Sequence, residues 1–461
     1  MVMLNAGCAL QRYEAAALDR EHVVDTHARQ RLDDAPLGQQ LLRLGAVTNW
    51  PLAAWTPAQL GLAAALRSLT VHEARASVTT ATAEGVLAAQ RANPSVSLAI
   101  DHHGDKGHGQ SSHWSVGPSI DFSLSPQSRR RIAVALADVA IVGARITLLE
   151  QAWQARDMAL TAALDVIEQS TLATLAEREG EARAALVASA RAQVAAGVEY
   201  AFEWQTLELE ANDARLARLD QRRAQTLAEA ALAQALALPP AALSQLHLNP
   251  PLANDTLDYG NLQARALSQH PQVLRALANY DQAEHELALA VAEQYPEIHL
   301  SPGYFFDQGD SVWSLVGGVA VPLFANHSAA INKASTARDA AREHFYAVQS
   351  ATIASVQSAW TEWQAALAND QATQAVAYDI DASVQALRAH AQEGIVDKRV
   401  VARAGLQQAA VATRLARSVA LTRRARAALE MAARVPVDDA PFARYLIELY
   451  AEDGTAQETQ P

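Results

Sequence analysis

The residue types best suited to chemistry gather in one short stretch. His102, His103, His108 and His113 lie within twelve positions, beside Asp101 and Asp105. Neutral imidazoles and carboxylates bind zinc and copper. Gly104, Gly107 and Gly109 interrupt the stretch, and no regular element sets the spacing of the ligands. The same residues therefore also fit a solvated polar loop. Cys8 is the only cysteine, so no intrachain disulfide can form. Leu4-Asn5-Ala6-Gly7-Cys8 resembles the end of a lipoprotein signal, in which a cysteine after a small residue is acylated. Asn5 and the missing charged and apolar segments upstream depart from that pattern, and an incidental cysteine stays open. No G-x-S-x-G, Walker loop, H-E-x-x-H or cysteine pair occurs. Neither catalysis nor a cofactor is expected.

The elements that carry these residues occur twice. Asn93-Pro94-Ser95-Val96, a polar loop and Trp114-Ser115-Val116-Gly117 are matched by Tyr295-Pro296-Glu297-Ile298, a polar loop and Trp313-Ser314-Leu315-Val316-Gly317. Further along, Arg191 precedes Gly197 as Arg388 precedes Gly394, each by six positions. A duplication of this length means one structural unit used twice.

Composition narrows the kind of unit. Aromatics are 5% and charged residues 19% of 461, and alanine is heavily used. That mix suits long helices packed through small side chains. The net charge of −13 argues against nucleic acid as a partner, because phosphate binding needs a basic face. No apolar run is expected to reach the ~18–20 residues of a membrane-spanning helix. A membrane crossing, if made, falls to strands.

Residues 9–57, with Pro36, Gly45, Pro51 and Pro57, are expected to be irregular and anchored by Trp50 and Trp55. A helix is predicted from Ala58 to Ala92, with Thr56 as cap and Pro57 at its first position. Asn93-Pro94 ends it. Val96, Leu98 and Ile100 then alternate with small polar residues, as do Trp114, Val116, Ile120, Phe122 and Leu124. Ile298, Leu300, Tyr304 and Phe306 repeat the alternation, and Trp313 to Leu323 carries it furthest. Runs of about 10–13 residues with aromatic ends suit tilted transmembrane strands. Soluble hairpins with one apolar face are the plainer reading.

From Gln127 to Ala195 there is no proline, and from His327 to Gln392 neither proline nor glycine. Each stretch predicts a helix of about 100 Å. Ile146, Leu149, Trp153, Leu160 and Ile167 form one near-heptad seam, and Ile353, Val356, Trp360, Trp363 and Leu367 the other. Trp360 and Trp363 are expected to pack between helices. The chain returns in helices over Glu199–Leu236 and Val396–Arg434, with another at Asp258–Gln294. The organisation is thus a lead-in at 1–57, a first repeat at 58–238, a linker at 239–256, a second repeat at 257–436 and a partly disordered tail at 437–461. The β-hairpins fall near 95–124 and 297–324, and the long helical hairpins near 126–238 and 326–434.

Four strands cannot span a bilayer as an open sheet, because edge groups would stay unpaired in hydrocarbon. Barrels need about eight strands or more. A homotrimer supplies twelve and gathers the long helices into one cylinder. The expected fold is mainly α with a small transmembrane β part. A duplicated β-hairpin and long α-helical hairpin would build a 12-stranded β-barrel continued by a periplasmic α-helical barrel.

Over about residues 8–436 the chain resembles the TolC-like outer membrane factors, and most of all the lipoprotein-type members serving heavy-metal and drug efflux. The resemblance rests on Asn93-Pro94, Tyr295-Pro296, Val321-Pro322-Leu323-Phe324, Gly197, Gly394 and the lead-in Trp50–Leu66. The first strand pair departs from it with Phe122-Ser123-Leu124-Ser125-Pro126. It implies a passive exit duct in the outer membrane, reaching into the periplasm. Its partners would be a periplasmic adaptor protein, an inner-membrane efflux pump and outer-membrane lipid. It also implies that the turns Gly197, Val198, Glu199 and Gly394, Ile395, Val396, Asp397, Lys398, Arg399 form the periplasmic tip and meet the adaptor. The histidine loop would then face the exterior. An adaptor protein or a coiled-coil scaffold are the rivals. Adaptors usually carry one hairpin and a small β-domain, and a scaffold has no need of the Trp313–Leu323 alternation.

Overall fold

The computed structural model describes residues 12–18, 22–104, 112–124, 127–197, 200–251, 256–319 and 327–451. Cys8, Asp105, His108, Val198, Glu199 and Val321–Phe324 lie outside the described residues.

The expected duplication is present. Strands β1 (Ser95–His102) and β2 (Trp114–Leu124) lead into helix α5 (Gln127–Ala195), which is followed by α6 (Ala201–Ala235). Strands β3 (Ile298–Asp307) and β4 (Asp310–Val319) precede α9 (His327–Gln392) and α10 (Lys398–Ala433). The strands form one antiparallel sheet in the order β1-β2-β3-β4, so β1 and β4 are its open edges. Both repeats thus contribute to a single sheet through the β2–β3 pair, in which Val116 faces Phe306 and Phe122 faces Leu300.

Buried positions on α9 set its packing. Val356, Trp363, Asp370, Ala377 and Val384 recur every seven residues. A strict seven-residue repeat keeps one seam against a neighbour as the helices wind around each other. The predicted member Ile353 lies off this seam and is exposed. On α5, Ile146 and Trp153 are buried as expected.

The long helices pack side by side. α6 packs on the lower half of α5, α10 on the other side of α5, and α9 on α10. Arg183 of α5 meets Glu210 of α6 at 2.9 Å, and Arg424 of α10 meets Asp165 of α5 at 2.6 Å. Nearer the sheet, α4 (Leu69–Ala89) and α8 (Pro271–Ala292) flank α5, and α8 also packs on α9. The layer has α6 and α4 at one edge and α9 at the other.

Five features correct or add to the expectations. The predicted Ala58–Ala92 helix is two helices, α3 (Pro57–Arg67) and α4, parted at extended Ser68. The predicted Asp258–Gln294 helix likewise divides into α7 (Tyr259–Gln269) and α8 at extended His270. Ser68 Oγ and His270 Nδ1 accept backbone N–H groups of the helix that follows, so side-chain caps restart each helix. Residues 9–57 are not irregular throughout, for they hold α1 (His22–Arg29) and α2 (Ala35–Arg43). The tail folds into α11 (Ala440–Ala451), whose Phe442, Tyr445 and Leu449 are buried against the lead-in and α5. Finally, α5 does contain a stretch long and apolar enough, by composition, to cross a membrane. The stretch lies within one 69-residue helix that α4 and α8 flank, and most of it is not buried in a single copy.

The tail is held by a buried ion cluster. Arg156 of α5, 2% exposed, reaches Glu430 of α10 at 2.9 Å and Asp439, just before α11, at 2.9 Å. Its guanidinium also lies 4.9 Å from the Phe442 ring centre. Arg434 pairs with buried Asp157. Burial pushes the Glu430 carboxyl up to about 7, against the pull of Arg156. Burial, aided by the Arg434 charge, pushes the His270 imidazole down to about 4.

Candidate functional site

The tips are made by the ends of the four long helices. Gly197 has φ +71 and Gly394 φ +76, the left-handed geometry that ends a helix without a Cβ clash. At the second tip, Gly394 N–H donates to Ala391 O at 3.2 Å and Ile395 N–H to His390 O at 2.9 Å. These bonds satisfy the last carbonyls of α9. Asp397 Oδ1 accepts from Arg399 N–H at 2.8 Å and so starts α10, whose first residue is Lys398. Open space surrounds both glycines.

Two features of the tips were not read from the sequence. Tyr200 is 85% and Phe202 76% exposed, and with exposed Ile395 and Val400 they form an apolar end surface. Val396 is half-buried beside them. Arg399 also joins the two hairpins. Its Nη1 donates to Gln193 Oε1 of α5 at 2.9 Å, and its Nη2 lies 3.6 Å from Glu203 Oε2 of α6. The pattern of solvated turn charges concealed this, because Arg399 and Gln193 are 206 residues apart. The structure thus brings the two predicted turns into one site.

At the other end, the sheet has two unlike faces. Val96, Leu98, Ile100, Phe122, Leu315 and Val319 are exposed apolar residues on one face. Tyr304 and Trp313 pair across β3 and β4 on that face, with ring centres 4.9 Å apart. The opposite face is mostly small and polar, with Phe305, Val312 and Val316 as its larger apolar members. Ser97 and Ser119 share a 2.7 Å hydrogen bond, and Ser301 Oγ donates to Asp121 at 2.6 Å. Asp101, Ser115, Asp307 and Asp310 line up across all four strands. None of the strands holds a lysine or arginine.

The histidines divide rather than converge. His102 stacks on His113 with ring centres 5.6 Å apart, and meets the Trp114 ring edge-on at 4.7 Å. His103 Nε2 turns instead to Ser115 Oγ at 2.8 Å and lies 3.7 Å from Asp307. His113 Nδ1 faces the His103 carbonyl at 3.1 Å. Among the described residues no group of three metal-ligating side chains is suitably placed, and His108 lies outside them. Stacking and hydrogen bonding to the sheet account for the three described rings.

Residues 262–433 match the family model of the outer membrane efflux protein. The match falls within the second repeat. No characterised protein sequence matches the chain significantly. Solved structures share the fold of both repeats. The outer membrane protein VceC from Vibrio cholerae has a TM-score of 0.65 at 16% identity, covering 82% of this chain and 95% of its own. A membrane protein from Pseudomonas aeruginosa gives 0.67 at 15%, with coverages of 92% and 96%. The Campylobacter jejuni CmeC outer membrane channel gives 0.66 at 10%, with coverages of 88% and 95%.

Proposed function

From its match to the outer membrane efflux protein family, and a channel fold that extends through both repeats, we infer that this chain is the outer-membrane exit duct of a tripartite efflux system. The observation that carries the reading is the pair of open edges. β1 and β4 are unpaired in one copy, and the apolar face between them is exposed. An open edge in hydrocarbon costs several kcal/mol per unpaired group, so copies must close a ring. Three copies of four strands make twelve, and the same rotation sets the α9 edge of each helical layer against the α4 and α6 edge of the next. Barrel and tube then share one axis, with the Asp and Ser face turned inward.

Such a tube conducts passively, and the work is done by an inner-membrane pump joined through a periplasmic adaptor protein. The Gly197 and Gly394 tips, with Tyr200, Phe202 and Ile395 exposed, are the surface we assign to the adaptor. Arg399 holds the two hairpins of a copy together there and so favours a narrow end. The inward carboxylates Asp101, Asp121, Asp307 and Asp310 favour cations in transit. This supports cationic cargo, heavy-metal ions among it. Cys8, through its Gly7-Cys8 sequence, is the proposed acyl anchor, to be checked by mass spectrometry of protein made with an extended leader.

The test is efflux in Gram-negative cells that lack their own duct but keep pump and adaptor. Expression of this chain should restore resistance. Gly394→Val should reduce it with trimer content unchanged, because strain at positive φ costs about 1–2 kcal/mol and is confined to the tip. Full resistance in Gly394→Val would remove the tip from the proposed docking surface. No gain with any pump and adaptor set would count against the duct.

A further inference from the structure

We propose that Arg91, Arg130 and Arg131 form a binding patch for the phosphates of anionic phospholipid headgroups, on the membrane leaflet next to the helical tube. The inference rests on the duct reading for its membrane. All three side chains are exposed. Among the described residues none of them has a hydrogen bond or ion pair to another side chain. Neighbouring Arg129 differs. It donates to Glu297 at 2.9 Å and to the Tyr295 carbonyl at 2.6 Å, tying α5 to the entry of β3.

Placement gives the three arginines a common purpose. Arg91 follows the last turn of α4 and comes four positions before the start of β1. Arg130 and Arg131 lie in the first two turns of α5, after the end of β2. β1 and β2 are paired, with Ser95 opposite Asp121, so the arginines share one foot of the sheet. Directly above them stand the exposed apolar residues Val96, Leu98, Phe122 and Leu124. Exposed Tyr295 sits at the same level, where an amphipathic ring suits a membrane boundary.

The direction in which Arg131 faces follows from the helix. Arg131 and Leu149 are eighteen positions apart, about five turns, and so share a face of α5. Trp153 and Arg156 lie close to that face. They are covered by the tail, with Phe442 4.9 Å from Trp153 and Asp439 2.9 Å from Arg156. α4 and α8 occupy the flanks of α5, and in the proposed tube the mass of tail and lead-in on this face is placed outside, where it leaves the lumen clear. Arg131 therefore points outward, toward lipid, and not into the lumen.

Charge supplies the ligand. The chain carries a net −13, yet positions 85–100 and 122–137 contain no Asp or Glu. A cluster of cations at a membrane boundary attracts anionic headgroups. A planar guanidinium offers a phosphate two parallel donors, which an ammonium cannot.

The experiment is native mass spectrometry of the purified full-length assembly in detergent, titrated with phosphatidylglycerol or with phosphatidylcholine of the same acyl chains. Phosphatidylglycerol should be retained preferentially at low salt. Arg91→Gln, Arg130→Gln and Arg131→Gln should each cut the preference by roughly fivefold. The triple Lys variant should keep most of it. If the triple Gln variant fails to assemble, the single variants and the Lys variant decide. Equal retention of the two lipids, or an unchanged preference in the Gln variants, overturns the proposal. Full displacement by inorganic phosphate would mean a free-anion site and overturns it too. An assembly that stays soluble and monomeric without detergent would instead overturn the duct reading beneath it.

Discussion

The Phe305 ring occupies the space that a side chain at Gly117 would need. A Cβ built on Gly117 would lie 1.9 Å from Phe305 Cδ1. The two residues sit on neighbouring strands β2 and β3, on the mostly small, polar face assigned to the lumen. Gly117 thus lets the one aromatic of that face lie back on the sheet. Gly117→Val should push the ring into the lumen and cost about 1–3 kcal/mol through overpacking. Single-channel conductance in planar bilayers should fall. Phe305→Ala on the same background should restore it, and failure to do so would separate conductance from the ring.

Arg399 is predicted to bias the tube toward its narrow state. Its bond to Gln193 and its half-exposed pairing with Glu203 are together worth about 1–2 kcal/mol. Arg399→Ala should shift the ratio of narrow to wide tips by roughly tenfold. Mean conductance of the reconstituted assembly should rise, and Gln193→Ala should reproduce part of the rise. An unaltered conductance in both variants would leave Arg399 as a packing residue.

Removing Arg156 should be more damaging than its single position suggests. Glu430 and Asp439, 7% exposed each, would lose their shared cation. Breaking a buried ion pair on one side costs about 3–5 kcal/mol. Arg156→Met should lower the melting temperature and expose α11 to protease before the long helices are cut. Simultaneous loss of all helices would show that the tail is not a separately held element.

His270 predicts an acid limit to stability. Its Nδ1 accepts Gln272 N–H at 3.1 Å, a bond that needs an unprotonated nitrogen. In the folded chain its pKa is about 4, depressed from 6.5. The unfolded chain takes up the proton first, so this stability is complete above about pH 6.5 and is lost as pH falls toward 4. Asn at this position can still cap α8 but cannot titrate in that range. Thermal melts between pH 7 and 4 should show a steeper fall for the native chain than for His270→Asn. Parallel curves would assign the acid sensitivity elsewhere.

Much of this architecture was legible because it depends on periodicity and chain breaks. Pro94 and Pro296 fall in the short connections after α4 and α8, alternation marks β1 to β4, and the absence of proline over 127–195 and 327–392 marks the long helices. What escaped depends on contacts distant in sequence. Nothing near Ser68 breaks the helical pattern strongly, so its cap is hidden in a continuous helix, whereas Pro271 after His270 does mark a helix start and the predicted unbroken helix passed over it. The tail helix was hidden because Phe442 and Tyr445 gain their value only from a core assembled some 280–400 residues earlier. The turn glycines were visible as single residues, whereas the Arg399–Gln193 bond joins separate repeats. The four histidines are close in sequence, yet for the three that are described, His102, His103 and His113, ring stacking and alternate strand faces send the nitrogens in different directions.

The central claim is closure of open sheets by three copies, and its most direct measurement is the mass of the protein extracted from membranes in detergent. Native mass spectrometry should give three chains of 49.3 kDa, with bound lipid, and no stable species in buffer without detergent. A monomer that stays folded and soluble in detergent-free buffer, with β1 and β4 open, would contradict the account.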